Sequence, residues 1–271
     1  MKDILTAPFV TEMTRMMSNM YRLGYDERNG GNISVLLDAD DVAKYLNLDD
    51  VQDTIHTGFE APELVGRIFI VTGSGKYFKN AETDPENNLG IIRIAGDGTT
   101  AELLWGLADG GRPTSELPAH LMSHIVRMKA DPQNRVIMHC HPDRTLALTH
   151  VLPLDEKTIT RTLWGMMTES IVVFPDGVGV LPWMVCGTNE IGRATAEKMK
   201  QYRIVLWAIH GIYGSGRDLD EAFGLIETVE KAAIQYFLTA GLPRVNFITD
   251  ENLVDLAKAF KLDYRKDFLD L

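Results

Sequence analysis

Hydrophobic and polar positions along this chain switch between a helical period and a strand period. Phe9, Met13, Met16, Met17 and Met20 recur at three- and four-residue spacing, which places them on one stripe of a helix. Thr6 is placed to cap that helix, Pro8 suits its first turn and Gly24 supplies the stop, so a helix over Pro8 to Leu23 is predicted. The next stretch, GYDERNGGNISVLL, reads as a glycine-rich turn feeding a strand. From Asp38 to Gly66 the pattern is polar and weakly periodic, which predicts an insertion or peripheral lobe without chemistry. RIFIVTGSGK then reads as a strand entering a tight turn, and LGIIRIAGDGTTAELLWGL as two strands joined at Gly96-Asp97-Gly98.

The second half alternates in the same way. In RPTSELPAHLMSHIVRMKA, Thr114 or Ser115 can cap a helix whose first turn holds Glu116 and Pro118, with Leu121, Ile125 and Met128 facing the core. A strand is predicted from Asn134 to His141, a helix around Arg161 to Met167, a strand from Ile171 to Phe174 and a turn at Pro175-Asp176-Gly177. A helix follows from Asn189 to Gln201, a buried strand RIVLWAIHG ends at His210, and helices run from Leu219 to about Ala240 and from Glu251 to Phe260. With no repeat and no low-complexity linker, one α/β domain over residues 1–271 is the economical organisation.

Composition narrows the function classes. A formal net charge of −11 argues against nucleic acid as a partner, because backbone phosphates need clustered Lys and Arg. A single small phosphate remains compatible, since backbone N–H groups can hold it locally. No apolar run is long enough to span a bilayer and MKDILTAPFV lacks the pattern of a cleaved leader, so a cytoplasmic protein is expected. Cys140 and Cys186 are too few for a disulfide framework and are expected as reduced, buried thiols.

His139 and His141 flank Cys140, and the two-residue period of a strand puts both imidazoles on one face, where they can share an ion. His210, at the end of another apolar strand, is a candidate third ligand that would leave an open catalytic position. Alone, His-x-His is as often structural. A rival set, Glu116, His120 and His124, repeats every four residues on one helix, although it lacks the glutamate that follows the first histidine in metalloprotease helices.

Asn29-Gly30-Gly31-Asn32 and Gly73-Ser74-Gly75-Lys76 are glycine-rich turns able to form an anion-binding concavity. Neither matches a nucleotide fingerprint, so a phosphorylated metabolite is the expected ligand class. Thr114 and Ser115, at a helix N-terminus, can add hydroxyls and dipole support. Glu116 in the same turn is a candidate base beside a metal, or simply a helix-end charge, and Glu169 reads equally as a catalytic acid or an exposed connector.

Together RNGGNIS, TGSGK, PTSELPAH, HCH and HGIYGSG, in this order and spacing over nearly the whole chain, resemble the class II aldolase and ribulose-phosphate epimerase family, whose fold is shared with adducin. The resemblance implies a three-layer α/β/α fold around a mostly antiparallel sheet. It implies one zinc ion per subunit on His139, His141 and His210, with Glu116 acting beside it. It places Asn29, Asn32, Ser74, Gly75 and Ser115, with Thr114 and Gly31 as additions, around the substrate phosphate. Glu169 corresponds to a second acid/base of one branch, delivered by the adjacent subunit of a homotetramer with active sites at its interfaces. The implied reaction is retro-aldol cleavage of a phosphorylated ketose. Family alternatives are another ketose phosphate, epimerisation, dehydration or a non-catalytic adducin-like module; a zinc hydrolase, or a lysine aldolase using Lys76, lies outside that chemistry.

Overall fold

Alternation along the strands organises the whole molecule. The computed structural model describes residues 1–270. Its strands are β1 (Asn32–Leu37), β2 (Asp53–His56), β3 (Ile68–Thr72), β4 (Leu89–Ile94), β5 (Thr100–Gly106), β6 (Val136–Cys140), β7 (Gly179–Leu181), β8 (Ile204–Trp207) and β9 (Gly211–Gly216). They form one sheet in the order β2-β5-β4-β3-β1-β6-β9-β8-β7. Every neighbouring pair is antiparallel except β7 and β8.

Both faces of this sheet are buried, which is why its strands read as nearly continuous apolar runs. Ile68 and Ile70 enter one core while Phe69 and Val71 enter the opposite one. Val136, Met138 and Cys140 likewise face away from Ile137. The helices are α1 (Pro8–Leu23), α2 (Ala39–Val42), α3 (Pro85–Asn88), α4 (Leu117–Ala130), α5 (Asp143–Val151), α6 (Glu156–Trp164), α7 (Glu169–Val173), α8 (Asn189–Met199), α9 (Leu219–Leu238) and α10 (Asp250–Phe260). The larger core joins α1, α5, α6, α7, α9 and α10 to one face, and α4 with α8 covers the other, giving three layers. Each fully buried Ile, Leu or Met contributes roughly 1.5–3 kcal/mol.

The expected helix α1 appears with the expected bounds and the left-handed Gly24 stop, but its cap differs. Ala7 is the N-cap, and the Thr6 hydroxyl instead donates to Asp3 O within a preceding 3-10 turn. At α4 the N-cap is Glu116 itself, with Thr114 Oγ1 accepting from Glu116 N–H at 3.3 Å. Ile171 to Phe174 is helical, not a strand. Four apolar residues fit either form; here Phe174 N–H closes a turn on Ser170 O, and Phe174 O accepts from the Trp164 indole, so this backbone has no need of a sheet neighbour. The polar stretch from Asp38 to Gly66 lies at the sheet's periphery, where it supplies edge strand β2 and buries Ile55, Ala61 and Leu64. Cys140 is buried as expected, whereas Cys186 is exposed, on the loop between β7 and α8. No helix among the described residues is long and apolar enough to cross a membrane.

Candidate metal centre

Register brings the site together. Asn32 on β1 pairs with His139 on β6, and His139 pairs with Tyr213 on β9, so three side chains stand abreast on the face covered by α4. The Tyr213 ring stacks on His139 with centroids 4.7 Å apart, and Trp207 stacks on Tyr213 at 4.4 Å. Over this row sits Glu116. Its Oε2 accepts hydrogen bonds from Asn32 Nδ2 at 2.9 Å and from the Tyr213 hydroxyl at 3.0 Å, and lies 3.8 Å from His139 Nε2. Burial pushes the Glu116 carboxyl above the usual range, opposed in part by those two hydrogen bonds. Burial and the neighbouring Glu116 push the Tyr213 hydroxyl up in turn, so it stays a donor.

Three imidazoles converge beside this carboxylate. The ligand atoms of His139, His141 and His210 lie within 4.8 Å of one another. His139 Nδ1 is 3.0 Å from Ile212 O, an atom that only accepts, so its proton is on Nδ1 and Nε2 presents a lone pair. His141 Nδ1 faces the Glu27 carboxylate at 3.0 Å, which leaves its Nε2 in the same state. The two Nε2 atoms are 3.2 Å apart. Two lone pairs at that distance repel unless a cation lies between them, and a carboxylate-anchored imidazole is the usual support for a metal-bound ring. Burial pushes His139 well below its ordinary titration range, and burial with the nearby His141 pushes His210 to about 4. His139 and His210 therefore remain neutral lone-pair donors at neutral pH. The residues present fit a divalent ion.

His210 is placed by backbone that a sequence pattern does not reveal. It closes the tight turn between β8 and β9 instead of ending a strand, with its N–H on Trp207 O. The preceding Ile209 adopts φ 59°, the left-handed region that costs a β-branched residue roughly 1–3 kcal/mol, and its N–H is held by Thr149 Oγ1 at 2.9 Å. Gly211 has no room for a side chain: a Cβ there would come 2.5 Å from Cys140 O and 2.8 Å from both the His139 and His141 rings.

The rival helix histidines are committed elsewhere. Asn32 Nδ2 donates to Glu116, so Asn32 Oδ1 must accept from His120 Nε2, whose Nδ1 then accepts from the Ser34 hydroxyl at 2.7 Å. Ser34 Oγ accepts in turn from His124 Nε2 at 2.8 Å. Burial pushes both rings down to about 3. This one-way chain of donors ends on Glu116 and fixes the orientation of the Asn32 amide.

The phosphate candidates divide. Ser74 N–H donates to Arg112 O at 2.7 Å and Thr114 N–H to Thr72 O at 2.9 Å, so the GSG turn abuts the PTS segment. Thr114 and Ser115 line a cleft of about 620 Å³ with Arg112, Gly58 and Gly187. Asn29 lies on the exposed turn whose Gly30 backs onto the His141 ring. Gly31, at φ 75°, needs to be glycine because a Cβ would fall 1.7 Å from Asp26 Oδ1. Glu169 opens α7 and is exposed; its carboxylate makes no hydrogen bond or ion pair among the described residues. Lys76 is ion-paired with Asp109. Sequence reasoning missed Tyr213, Glu27, Arg112 and Cys186. Reading HGIYGSG as a strand paired with β6 would have found Tyr213; nothing periodic marks Glu27.

An α/β/α sheet carrying three convergent imidazoles and a buried carboxylate defines a metal-centre protein. The model of the family described as Class II Aldolase and Adducin N-terminal domain matches residues 11–237, and the chain belongs to that family. It is 54% identical over 269 residues to a rhamnulose-1-phosphate aldolase of Listeria monocytogenes, covering 99% of this chain and 98% of the relative. It is 55% identical to one of Enterococcus faecalis, covering 99% and 96%. A sugar-phosphate aldolase structure from Thermotoga maritima superposes with TM-score 0.74 at 28% identity, covering 88% of this chain and 97% of that one. The chain is a metal-dependent aldolase, a carbon–carbon lyase of this family.

Proposed function

We propose that the chain cleaves L-rhamnulose 1-phosphate to dihydroxyacetone phosphate and L-lactaldehyde by a retro-aldol reaction. The observation that carries this reading is the meeting of His139, His141 and His210 with Glu116 3.8 Å from His139 Nε2. The set of three imidazoles suits zinc or a similar borderline divalent ion. When bound, that ion supplies Lewis acidity at the ketone oxygens, drawing electron density from the breaking bond.

The protein's own groups manage protons and position. A base removes the proton from the hydroxyl on the carbon that becomes the aldehyde, the carbon–carbon electrons pass to the ketone fragment, and a proton returns to the carbon left behind. Glu116 delivers that last proton, and its burial, which raises the carboxyl's proton affinity, suits it to the step. Asn32 and Tyr213 hold Glu116 in place. Glu169, exposed on one subunit, reaches the aldehyde oxygen of its neighbour in a homotetramer. Ser74, Gly75, Thr114 and Ser115 hold the phosphate by hydroxyls and backbone N–H groups, with Asn29 and Gly31 closing the histidine end.

Purified protein given L-rhamnulose 1-phosphate should release triose phosphate, and a chelator should abolish the release. Chelator-insensitive turnover, with borohydride trapping substrate on a lysine, would reject the proposal in favour of Schiff-base chemistry.

A further inference from the structure

Helix α5 meets two of the three ligand segments, one near each of its ends, and the aldolase reading gives it no part. His141 leads into it through Pro142, whose ring sets a φ of −66°. Pro142 offers the first turn no side-chain cap. The buried Glu230 carboxylate of α9 takes that place: its Oε1 accepts from Arg144 N–H at 3.1 Å, and its Oε2 accepts from Thr145 N–H and from the Thr145 hydroxyl, both at 2.7 Å. The start of the helix, just beyond His141, is thereby tied to the core.

Thr149 lies one helical turn after Thr145 and on the same face. Its buried hydroxyl donates to Leu146 O at 2.7 Å, so toward Ile209 N–H, 2.9 Å away, it acts as the acceptor. In the β8–β9 turn Ala208 N–H is held by Leu181 O and His210 N–H by Trp207 O, backbone to backbone, whereas Ile209 N–H is held by this side chain from a helix outside the sheet. Ile209 is also the residue at φ 59°, and its side chain is 50% exposed, so burial does little to hold it in the left-handed region. Strained backbone persists where its surroundings over-determine it. We propose that Thr149 is a positioning residue of the metal centre: its hydroxyl latches the strained turn that presents His210, and α5, anchored by Glu230, sets that ring's distance from His141. This rests on the three-histidine centre described above.

Zinc affinity of the purified protein, measured by competition with a chromophoric chelator, tests the latch, and the urea transition of metal-free protein reports folding. Thr149→Val keeps the shape and removes the acceptor, so zinc affinity should fall about 10–100-fold. Thr149→Ser restores the hydroxyl and should bring the affinity back near the wild-type value. Ile209→Gly places at the turn a residue that enters the left-handed region freely, so adding Thr149→Val to it should cost a much smaller fold-change than Thr149→Val alone. If Thr149→Val alone shows no cooperative urea transition, the same pair decides: return of the transition and of zinc binding on adding Ile209→Gly supports the latch, and no return overturns it. Equal affinity in the wild type and Thr149→Val would overturn the proposal and leave the centre standing. So would the same loss with and without Ile209→Gly, which would make Thr149 a general support of the fold. A wild type that binds no zinc would refute the centre, and the proposal with it.

Discussion

Two histidine groups share one face of this sheet and differ in where their ring nitrogens are directed. His139 and His141 each give one nitrogen to an oxygen acceptor, Ile212 O and the Glu27 carboxylate, and turn the other toward a common point with His210. His120 and His124 give theirs to Asn32 and Ser34 and face nothing open. Residue type is the same in the two groups, and each pair is spaced to share one face of its element, two apart on the strand and four apart on the helix. His124 Nδ1 is also left without a partner among the described residues, but its ring is buried against Phe69. What separates a ligand from a strut is whether the leftover lone pair is aimed at other donors.

The largest test of that contrast removes a member from each group. His210→Ala should take metal content from about one ion per chain to near none and abolish turnover, since only two imidazoles remain. His120→Ala should keep its metal, measured by atomic absorption. Comparable metal loss in both would collapse the distinction.

Glu116→Gln comes next. It preserves shape and the metal while removing the proton carrier, so kcat should fall by about 10²–10⁴ with metal content unchanged. Near-normal kcat would move the proton chemistry to another residue. Glu27→Gln is gentler: the amide no longer accepts from His141 with a full charge, and metal affinity should drop about 10–100-fold by competition with a chelator. Unchanged affinity would show that Glu27 only decorates the surface.

The smallest effect is on acid stability, and its sign follows from burial. An unfolded imidazole titrates near 6.5, whereas burial holds His124 at about 3. Between those pH values the unfolded chain binds a proton that the folded chain refuses, so the stability is full above about 6.5 and is lost as pH falls toward 3. In metal-free protein, urea midpoints at pH 7 and pH 5 should differ less for His124→Gln than for the wild type. An equal difference would mean that His124 is not the group being protected.

Much of the fold was legible because burial on both faces leaves apolar runs and helical stripes on either side of turn residues. The helix α1, the β4–β5 hairpin and α8 fall where their patterns place them. The failures have local causes. Ile171 to Phe174 is too short for period alone to distinguish a helical turn from a strand, and α5 carries too weak a stripe to be noticed. Of the site, the strand period of His139 and His141 was readable, as was the placement of Glu116 at a helix start. Tyr213 and Glu27 were not, because their importance lies in partners 97 and 114 residues away.

The sequence by itself determined which residues are able to do chemistry here: the paired imidazoles of one strand, a carboxylate at a helix N-terminus and glycines where backbone must pass close to rings. Tertiary structure decided which of them meet. Strand register set Asn32, His139 and Tyr213 abreast, and a strained turn at Ile209 swung His210 toward them. Chain order carries the periodicities of helix and strand, but the direction of a lone pair depends on hydrogen bonds formed across the sheet, and those exist only once the layers have packed.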